Sequence, residues 1–399
     1  MATTSDRMRA WTGPALFSYG FRPFFLGAGV WAVLSACLWL ALLSGTLALP
    51  TRLDPVSWHA HEFLFGYLGA VLAGFMMTAV PNWTGRMPIV GWPLMLLFTL
   101  WLVSRLAMGV SALLPAGLGA SVDGSFLLVL ALVMLREIVA GRNWRNLGVV
   151  ALLGVFLGGN VLFHVEAARG GYAAGGLGLR IGLGAALMMI ALIGGRIVPS
   201  FTRNWLVRRG SRQLPVPPMQ RLDKAALLLL LAALAAWVVR PEHLVTSALL
   251  IAAGLLNLVR VARWAGTATF PEPLVCILHA GYLFVPLGAL AVALGGAMPA
   301  VLAPAAAQHL WMAGAVGVMT LAVMTRATLG HTGQPLTAGR GTCAVYALLI
   351  ASVLIRTGAG LWPGVAGFFQ SLSGAFWLSA FAGFSWLYGG LLIRPRQAL

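Results

Sequence analysis

The sequence predicts an all-α polytopic membrane protein with about twelve transmembrane helices. Hydrophobic residues make up 60% of the 399-residue chain and charged residues only 9%. Long apolar runs recur from one end to the other, and basic residues alternate between successive connections. Soluble domains carry roughly 25% charged residues, so this composition cannot cover a water-exposed surface. Residues 1–399 are therefore expected to form a single integral membrane domain whose surroundings are a lipid bilayer.

The apolar runs have the length that a membrane requires. A helix needs roughly 20 apolar residues to cross a hydrocarbon core of about 30 Å. The runs are continuous and rich in Leu, Ala and Gly, whereas the strands of a membrane barrel alternate polar and apolar residues over about ten positions. The predicted spans are 23–43, 59–80, 92–113, 117–136, 147–168, 177–199, 224–240, 244–264, 274–294, 305–327, 341–360 and 372–393.

The placement of the basic residues predicts the orientation. A formal charge of +17 would suit nucleic-acid binding, but the basic residues do not cluster with aromatic residues on any soluble segment, so no nucleic-acid partner is expected. They crowd every second connection instead, as the positive-inside bias requires when both termini are cytoplasmic. The residues that predict the cytoplasmic side are Arg7, Arg9, Arg22, Arg86, Arg136, Arg142, Arg145, those of segment 204–224, Arg260, Arg263, Arg326, Arg340, Arg394 and Arg396.

The sequence is compatible with two ways of dividing the chain into similar parts. The connection 204–224 is basic and rich in proline, and it separates two six-helix halves on the predicted cytoplasmic side. A second pattern favours three four-helix pseudo-repeats, because the second, sixth and tenth spans end in similar blocks. These blocks begin at Val80-Pro81, Val198-Pro199 and Val323-Met324.

Orienting each helix by the charge rule brings many polar residues to similar depths. Burying a charge in the bilayer costs about 3 kcal/mol on insertion scales, so such residues usually face partners or cavities. Arg105 and Arg356 are expected to pair with buried anions, either Glu62, Asp123 and Glu166 or the propionates of a heme. The outer group comprises His59, His61, Glu62, Arg105, Asp123, His164, Glu166, Arg180, His309 and Arg356, and a smaller inner group comprises Arg196, His279, Arg326 and His331.

His59 and His61 lie two positions apart, which is a rotation of about 200° on a helix. Their imidazoles therefore point to opposite sides and cannot easily bind one ion, although they could ligate two different centres. Ordinary buried histidines are the alternative interpretation. Because His164 and His309 reach a similar depth, and because imidazole suits iron and copper alike, we predict metal or heme ligands among these four histidines.

Several blocks resemble the NnrS family. They are Trp58 to Tyr67 (WHAHEFLFGY), Phe75 to Arg86, Tyr19 to Phe24, Gly195 to Asn204, Leu278 to Tyr282 and Met319 to Gln334. The resemblance implies a bacterial inner-membrane protein that contains heme, for which a b-type is expected, and copper, and that takes part in the response to nitric oxide. It makes His59, His61, His279, His309 and His331 candidate heme or copper ligands. From their depth in the helices, Arg105, Arg180 and Arg356 are candidate partners for heme propionates. Gln334 departs from the arginine that often follows the HTG block in this family.

Three functions are compatible with these observations. The first is protection against nitric oxide and nitrosative stress through a redox or NO-binding metal centre in the outer leaflet, with NO and an electron donor as partners. Whether such a protein would be a heme/copper oxidoreductase is open, and no catalytic residue is assigned. The second is a transporter of a metal, heme or small metabolite, with helices broken at Gly158-Gly159 and Gly194-Gly195 and a buried Arg/His path. The third is an assembly subunit of a respiratory complex.

Overall fold

The computed structural model describes residues 11–395, and this part of the chain is helical and contains no β-strand. Twelve of its helices are long and apolar enough to cross a membrane, which confirms the predicted fold class and implies a lipid bilayer environment. The charged residues Arg7, Arg9 and Arg396 lie outside the described residues. The helices are α1 (Phe21–Leu43), α2 (Pro55–Thr84), α3 (Trp92–Gly109), α4 (Leu118–Ala140), α5 (Trp144–Ala168), α6 (Leu177–Arg208), α7 (Arg221–Val239), α8 (Leu244–Ala262), α9 (Pro273–Ala297), α10 (Pro304–Thr332), α11 (Arg340–Leu361) and α12 (Pro363–Ile393).

Two helices continue past prolines at which the predicted spans ended. α2 runs through Pro81 to Thr84, and α6 runs through Pro199 to Arg208. Proline removes one backbone hydrogen bond from a helix but does not have to end it. In both helices a threonine hydroxyl then donates to a carbonyl of the preceding turn, Thr84 to Val80 at 2.8 Å and Thr202 to Val198 at 2.9 Å.

The connection between α6 and α7 is shorter than the segment 204–224 that the sequence indicated. It comprises residues 209–220, because α6 extends to Arg208 and α7 begins at Arg221. A capping box starts α7, in which the Asp223 carboxylate accepts the Gln220 backbone N–H at 2.9 Å. Such a reciprocal cap satisfies backbone donors that the first helical turn otherwise leaves unpaired.

Three helices contain a π turn, in which the backbone widens by one residue. The π turns comprise Glu62–Tyr67 in α2, Ile190–Gly194 in α6 and Leu310–Val318 in α10. π turns are rare and are frequently found at functional sites. They occur at the same four-helix interval as the similar blocks of sequence, while the three-repeat interpretation itself stays a prediction.

The described chain divides into two compact units. The first unit comprises 11–182, 327–335 and 384–395; in it α2 packs against α1 and α4, and α4 also packs against α3 and α5. The second unit comprises 183–326 and 336–383; in it α8 packs against α7 and α9, and α10 packs against α9 and α11.

Candidate metal centre

The beginning of α2 is fixed by its sequence. The Asp54 carboxylate accepts the backbone N–H groups of Val56 and Ser57, each at 3.0 Å, and Pro55 occupies the first helical position. This cap agrees with the preference for Asp before a helix and for Pro at its first residue. The cap places His59 and His61 in the first two turns of α2.

The π turn of α2 makes room for a guanidinium group. A Cβ atom on Gly66 would lie 2.8 Å from Glu62 Oε2 and closer still to Arg105 Nη1. Only glycine therefore fits beside this ion pair. Trp101 Nε1 donates to the Gly66 carbonyl at 3.0 Å, which anchors the widened turn to α3.

A cluster of six polar side chains follows from this arrangement, and we call it the His–Asp cluster. Asp123 of α4 lies at its centre. The Oδ2 atom of Asp123 lies 3.0 Å from the Nε2 atom of His61 and 3.0 Å from the Nε2 atom of His164. The Asn160 amide donates to the same oxygen at 2.7 Å. The cluster comprises His61, Glu62, Arg105, Asp123, Asn160 and His164.

Arg105 joins the two acids of the cluster. Its Nη1 atom donates to both Glu62 oxygens at 2.7 Å, and its Nη2 atom donates to Asp123 Oδ1. These are two of the three acids that the sequence offered as buried partners. The third, Glu166, instead accepts the backbone N–H groups of Leu177 and Gly178 at 2.8 and 3.1 Å, so it caps α6.

The α5 helix supplies the remaining members through close packing. A Cβ on Gly159 would lie 2.7 Å from the backbone nitrogen of Gly182 and 2.9 Å from the Gly178 carbonyl oxygen. Glycines of this kind let membrane helices approach closely. The predicted break at Gly158-Gly159 is therefore wrong, since α5 is continuous there and the small residues serve helix contact. This contact places Asn160, which the sequence analysis did not single out, and His164.

The cluster is almost completely removed from its surroundings. The exposed fraction is 0% for the side chains of His61 and Glu62, 2% for Arg105 and Asp123, and 9% for His164. Two carboxylates face one guanidinium, which leaves one negative charge to be balanced. Buried charges are strongly unfavourable unless they are paired, so the site calls for one more positive charge. A proton on an imidazole or a bound cation would supply it.

Three members of the cluster have the arrangement of metal ligands. One ligand atom each from His61, Asp123 and His164 lies within 4.8 Å of the other two. Two imidazoles and one carboxylate form a donor set that suits transition metals and leaves coordination positions open. The imidazole rings of His61 and His164 lie 4.9 Å apart, and Phe163 packs against His61 at 5.4 Å. Because both histidines approach the same carboxylate oxygen, a single ion fits between them whereas a heme macrocycle does not.

The other predicted residues of the first unit lie in separate surroundings. The His59 ring stacks on Trp39 of α1 at 4.4 Å and 15°, while His61 faces Asp123, so the two histidines have different partners. Arg180 donates to the Gly175 carbonyl at 3.0 Å. His331 packs against the rings of Tyr19 and Phe21, at 5.5 and 5.4 Å.

In the second unit, His279 and His309 each form a short hydrogen bond. His279 Nε2 lies 2.7 Å from the Thr202 hydroxyl, and His309 Nδ1 lies 2.6 Å from the Ala305 carbonyl oxygen one turn earlier. Arg356 is half-buried and forms no ion pair with a carboxylate of residues 11–395.

The second unit contains a buried ion pair that the sequence analysis missed, and we call it the Arg–Tyr cluster. Arg260 of α8 is fully buried and donates from Nε to Asp223 at 2.8 Å and from Nη1 to the Tyr282 hydroxyl at 2.6 Å. Tyr282 also donates to the carbonyl of Ala191, in the π turn of α6, at 3.3 Å. The prediction that Arg260 lies in a basic connection is therefore wrong, because its long side chain extends from the last turn of α8 into the protein.

The fold and the His–Asp cluster together define a polytopic helical membrane protein with a buried group of metal-ligand type. The chain belongs to the NnrS family, described as NnrS protein, whose model matches residues 15–396. Membership in this family makes it, in general terms, a protein of the nitric oxide response. None of the curated proteins compared with the chain matches it.

Proposed function

We propose that this protein protects the cell against nitric oxide and nitrosative stress through a metal ion held by His61, Asp123 and His164. The convergence of these three side chains carries the proposal, because one ligand atom from each lies within 4.8 Å of the other two. Glu62 and Asp123 bring two negative charges against the single positive charge of Arg105, and a metal ion would balance the remaining charge in place of a proton on an imidazole. The family resemblance implies copper, and two imidazoles with one carboxylate are ligands that copper and non-heme iron both accept.

The side chains around these ligands have distinct tasks. Arg105 holds Asp123 through Oδ1, which leaves Oδ2 directed toward the two imidazoles. Glu62 accepts the Nδ1–H of His61 at 3.0 Å and so fixes the tautomer that presents Nε2 to an ion. Carboxylates that orient a ligating histidine in this way strengthen metal binding. A redox-active ion held by His61, Asp123 and His164 would bind NO and would exchange one electron with it.

Heme is assigned to other histidines. A macrocycle does not fit between His61 and His164, so the heme that the resemblance implies would be bound by His59, His279, His309 or His331. Arg180 and Arg356 are then the arginines that remain for its propionates, since Arg105 donates to Glu62 and Asp123. An optical spectrum of each His→Ala variant identifies the ligand by the loss or shift of the heme band.

Metal content tests the ion site. The protein is purified from cells grown with copper and iron, and the metal bound per chain is measured for His61→Ala, His164→Ala and the control His243→Ala. His243 is exposed and caps α8 through Val245, so its removal should leave the metal content unchanged. We expect both cluster variants to lose the ion and to lose protection of cells against an NO donor. Full metal content in both cluster variants would show that the ion site is wrong.

Transport of a metal, heme or small metabolite is the alternative function. The observation that favours it is the presence of π turns in α2, α6 and α10, because interrupted helices often form the substrate site of a transporter. Uptake measured in proteoliposomes distinguishes the two functions. Transport is supported if a substitution in the His–Asp cluster abolishes uptake and if the wild type gives no protection against NO.

The bacterial inner membrane is the proposed location, with both termini in the cytoplasm. Twelve spans put the start of α1 and the end of α12 on one side if each crosses the membrane once, and the positive-inside bias assigns that side to the cytoplasm. A reporter fused within the connection 209–220 should report a cytoplasmic position. A periplasmic signal from that fusion would reverse the topology and move the His–Asp cluster out of the outer leaflet.

A further inference from the structure

A cavity lies at the shared end of α6 and α10 within the second unit. Its volume is about 220 Å³. Sites for drug-sized ligands have volumes of about 300–1,000 Å³, so this one suits a smaller group. It is lined by Phe201, Asn204, Trp205, Arg208, Arg326 and Leu336.

The polar lining of this cavity consists of donors. Arg208 and Arg326 contribute guanidinium groups and Asn204 contributes an amide. Within residues 11–395 neither arginine forms an ion pair with a carboxylate. Glu272, whose charge acts on Arg326, already accepts the backbone N–H groups of Leu274 and Ala338, each at 3.1 Å. Two cationic groups therefore line one cavity without an acidic side chain between them.

An aromatic ring holds one of the two cavity arginines, Arg326, in place. Arg326 lies over the ring of Phe201 at 4.3 Å, and the neighbouring Arg209 lies over Trp205 at 4.5 Å. Stacking uses the flat face of a guanidinium and leaves its N–H donors free in the plane. A stacked arginine is thus already oriented for two parallel hydrogen bonds to an oxyanion.

We propose that this cavity binds a phosphate group, with Arg208, Arg326 and Asn204 as its donors. The apolar side of the lining, Phe201 and Leu336, suits the glycerol part of an anionic phospholipid. The location at the helix ends suits it too, because basic pockets on the cytoplasmic side of membrane proteins bind lipid head groups. A soluble phosphate compound shares this chemistry. The proposal is independent of the metal centre, since no residue of the His–Asp cluster lines the cavity.

Lipid titration of the purified full-length protein tests the proposal. Native mass spectrometry measures the binding of phosphatidylglycerol and of zwitterionic phosphatidylcholine to wild type, R208Q, R326Q and the double variant R208Q/R326Q. Hydrogen bonds between charged groups contribute strongly to binding. Replacing either arginine should therefore lower the affinity for phosphatidylglycerol about tenfold or more. The control is R203Q, which removes an exposed charge from the same end of α6 without lining the cavity. It should bind phosphatidylglycerol like the wild type.

Two further measurements identify the source of the phosphate and show whether a loss of binding results from misfolding. Competition by inorganic phosphate that depends on Arg208 and Arg326 would assign the site to a soluble phosphate compound, whereas selective retention of phosphatidylglycerol assigns it to a lipid. The variant R208K/R326K keeps both positive charges, so it should fold like the wild type and retain part of the binding. The proposal would be overturned if R208Q/R326Q bound phosphatidylglycerol and inorganic phosphate as tightly as R203Q does.

Discussion

The His–Asp cluster of the first unit and the Arg–Tyr cluster of the second unit are built from similar groups in different numbers. In each, a buried arginine donates to a carboxylate beside a π turn, and a glycine leaves room for the guanidinium. Arg105 lies on α3 and Asp123 on α4, whereas Asp223 lies on α7 and Arg260 on α8. The acid and the base have thus exchanged positions in the order of helices.

The difference between the clusters is their charge balance. Asp223 and Arg260 neutralise one another, and the third partner, Tyr282, is an uncharged hydroxyl. The His–Asp cluster has a second acid, Glu62, and two imidazoles. A neutral ion pair joins helices and calls for no ligand, while a cluster with an excess negative charge attracts a cation. Of these two clusters, the first therefore has the ligand atoms and the charge that the proposed metal ion requires.

Removing the arginine of the first cluster should have the largest effect on stability. Arg105→Ala leaves the carboxylates of Glu62 and Asp123 buried without their partner, and breaking a buried ion pair costs about 3–5 kcal/mol. The free energy of unfolding is measured by denaturant titration in detergent micelles. The control is Arg86→Ala, because Arg86 pairs with Glu137 but its side chain is 43% exposed and exposed pairs contribute about 0–1 kcal/mol. A similar loss in both variants would contradict the difference in burial.

In the Arg–Tyr cluster, replacing Arg260 and Asp223 together should cost less stability than replacing Arg260 alone. Arg260→Leu strands Asp223 and is expected to cost about 3 kcal/mol, whereas Arg260→Leu with Asp223→Leu removes both charges. The double variant should cost only about 1 kcal/mol, mainly because Asp223 also caps α7. A double-mutant cycle of unfolding free energies measures the coupling. If the double variant loses metal or NO protection while remaining folded, the Arg–Tyr cluster is functional and the contrast between the two clusters fails.

Much of this architecture is readable from sequence, because it depends on local rules. The length of the apolar runs predicted the number of helices, and the direction of each helix predicted the shared depth of His61, Arg105, Asp123 and His164. Which helix faces which depends on packing instead. Gly158-Gly159 was interpreted as a helix break, although Gly159 serves close contact with α6.

Arg260 shows a second limit of the sequence. It lies in the last turn of α8, so counting charges assigned it to a connection, and only its distance of 2.8 Å to Asp223 shows that it extends inward. Trp101 is a similar case, since its indole is buried and donates to Gly66. Long side chains place their polar ends a turn or more from their own Cα atoms, and the sequence does not state in which direction.

Adding a methyl group beside each guanidinium tests how tightly the two clusters are packed. Gly66→Ala places a Cβ against Arg105, 2.8 Å from Glu62 and 3.1 Å from Trp31 Nε1. Arg105 cannot move without breaking its hydrogen bonds, so we expect a loss of about 3 kcal/mol, at the upper end for overpacking. Gly195→Ala places a Cβ closer still to the guanidinium of Arg260, which is also held by hydrogen bonds, so a loss of similar size is expected.

Thermal unfolding of both glycine variants in micelles measures the two losses. Gly148→Ala is the control, since a Cβ at this position of α5 meets no atom within 4 Å, and alanine is the better helix former. It should leave the melting temperature unchanged or raise it. A loss confined to Gly66→Ala would mean that the guanidinium of Arg260 moves aside and is held less rigidly than that of Arg105.

The smallest expected effect concerns two asparagines that occupy similar positions in the two units. Asn160 and Asn257 are both fully buried, and the Oδ1 atom of each has no hydrogen-bond partner within 11–395. Asn160 donates to Asp123 at 2.7 Å, whereas Asn257 donates to the Ala253 carbonyl at 2.9 Å. Interhelical hydrogen bonds in membranes contribute about 0.6 kcal/mol on average. Asn160→Ala and Asn257→Ala should therefore destabilise the protein by similar small amounts, of about 1 kcal/mol or less.

Metal affinity should nevertheless distinguish these two variants. Asn160 is a partner of the proposed ligand Asp123, and loss of such partners weakens metal binding about 10–100-fold. Asn257 donates its hydrogen bonds to the backbone carbonyls of Ala226 and Ala253 and not to a proposed ligand, so its removal should leave the metal affinity unchanged. The measurement is competition with a chelator of known affinity, at matched unfolding free energy. Equal metal affinity in the two variants would mean that Asn160 only joins helices, and the functional distinction between the clusters would then rest on the histidines alone.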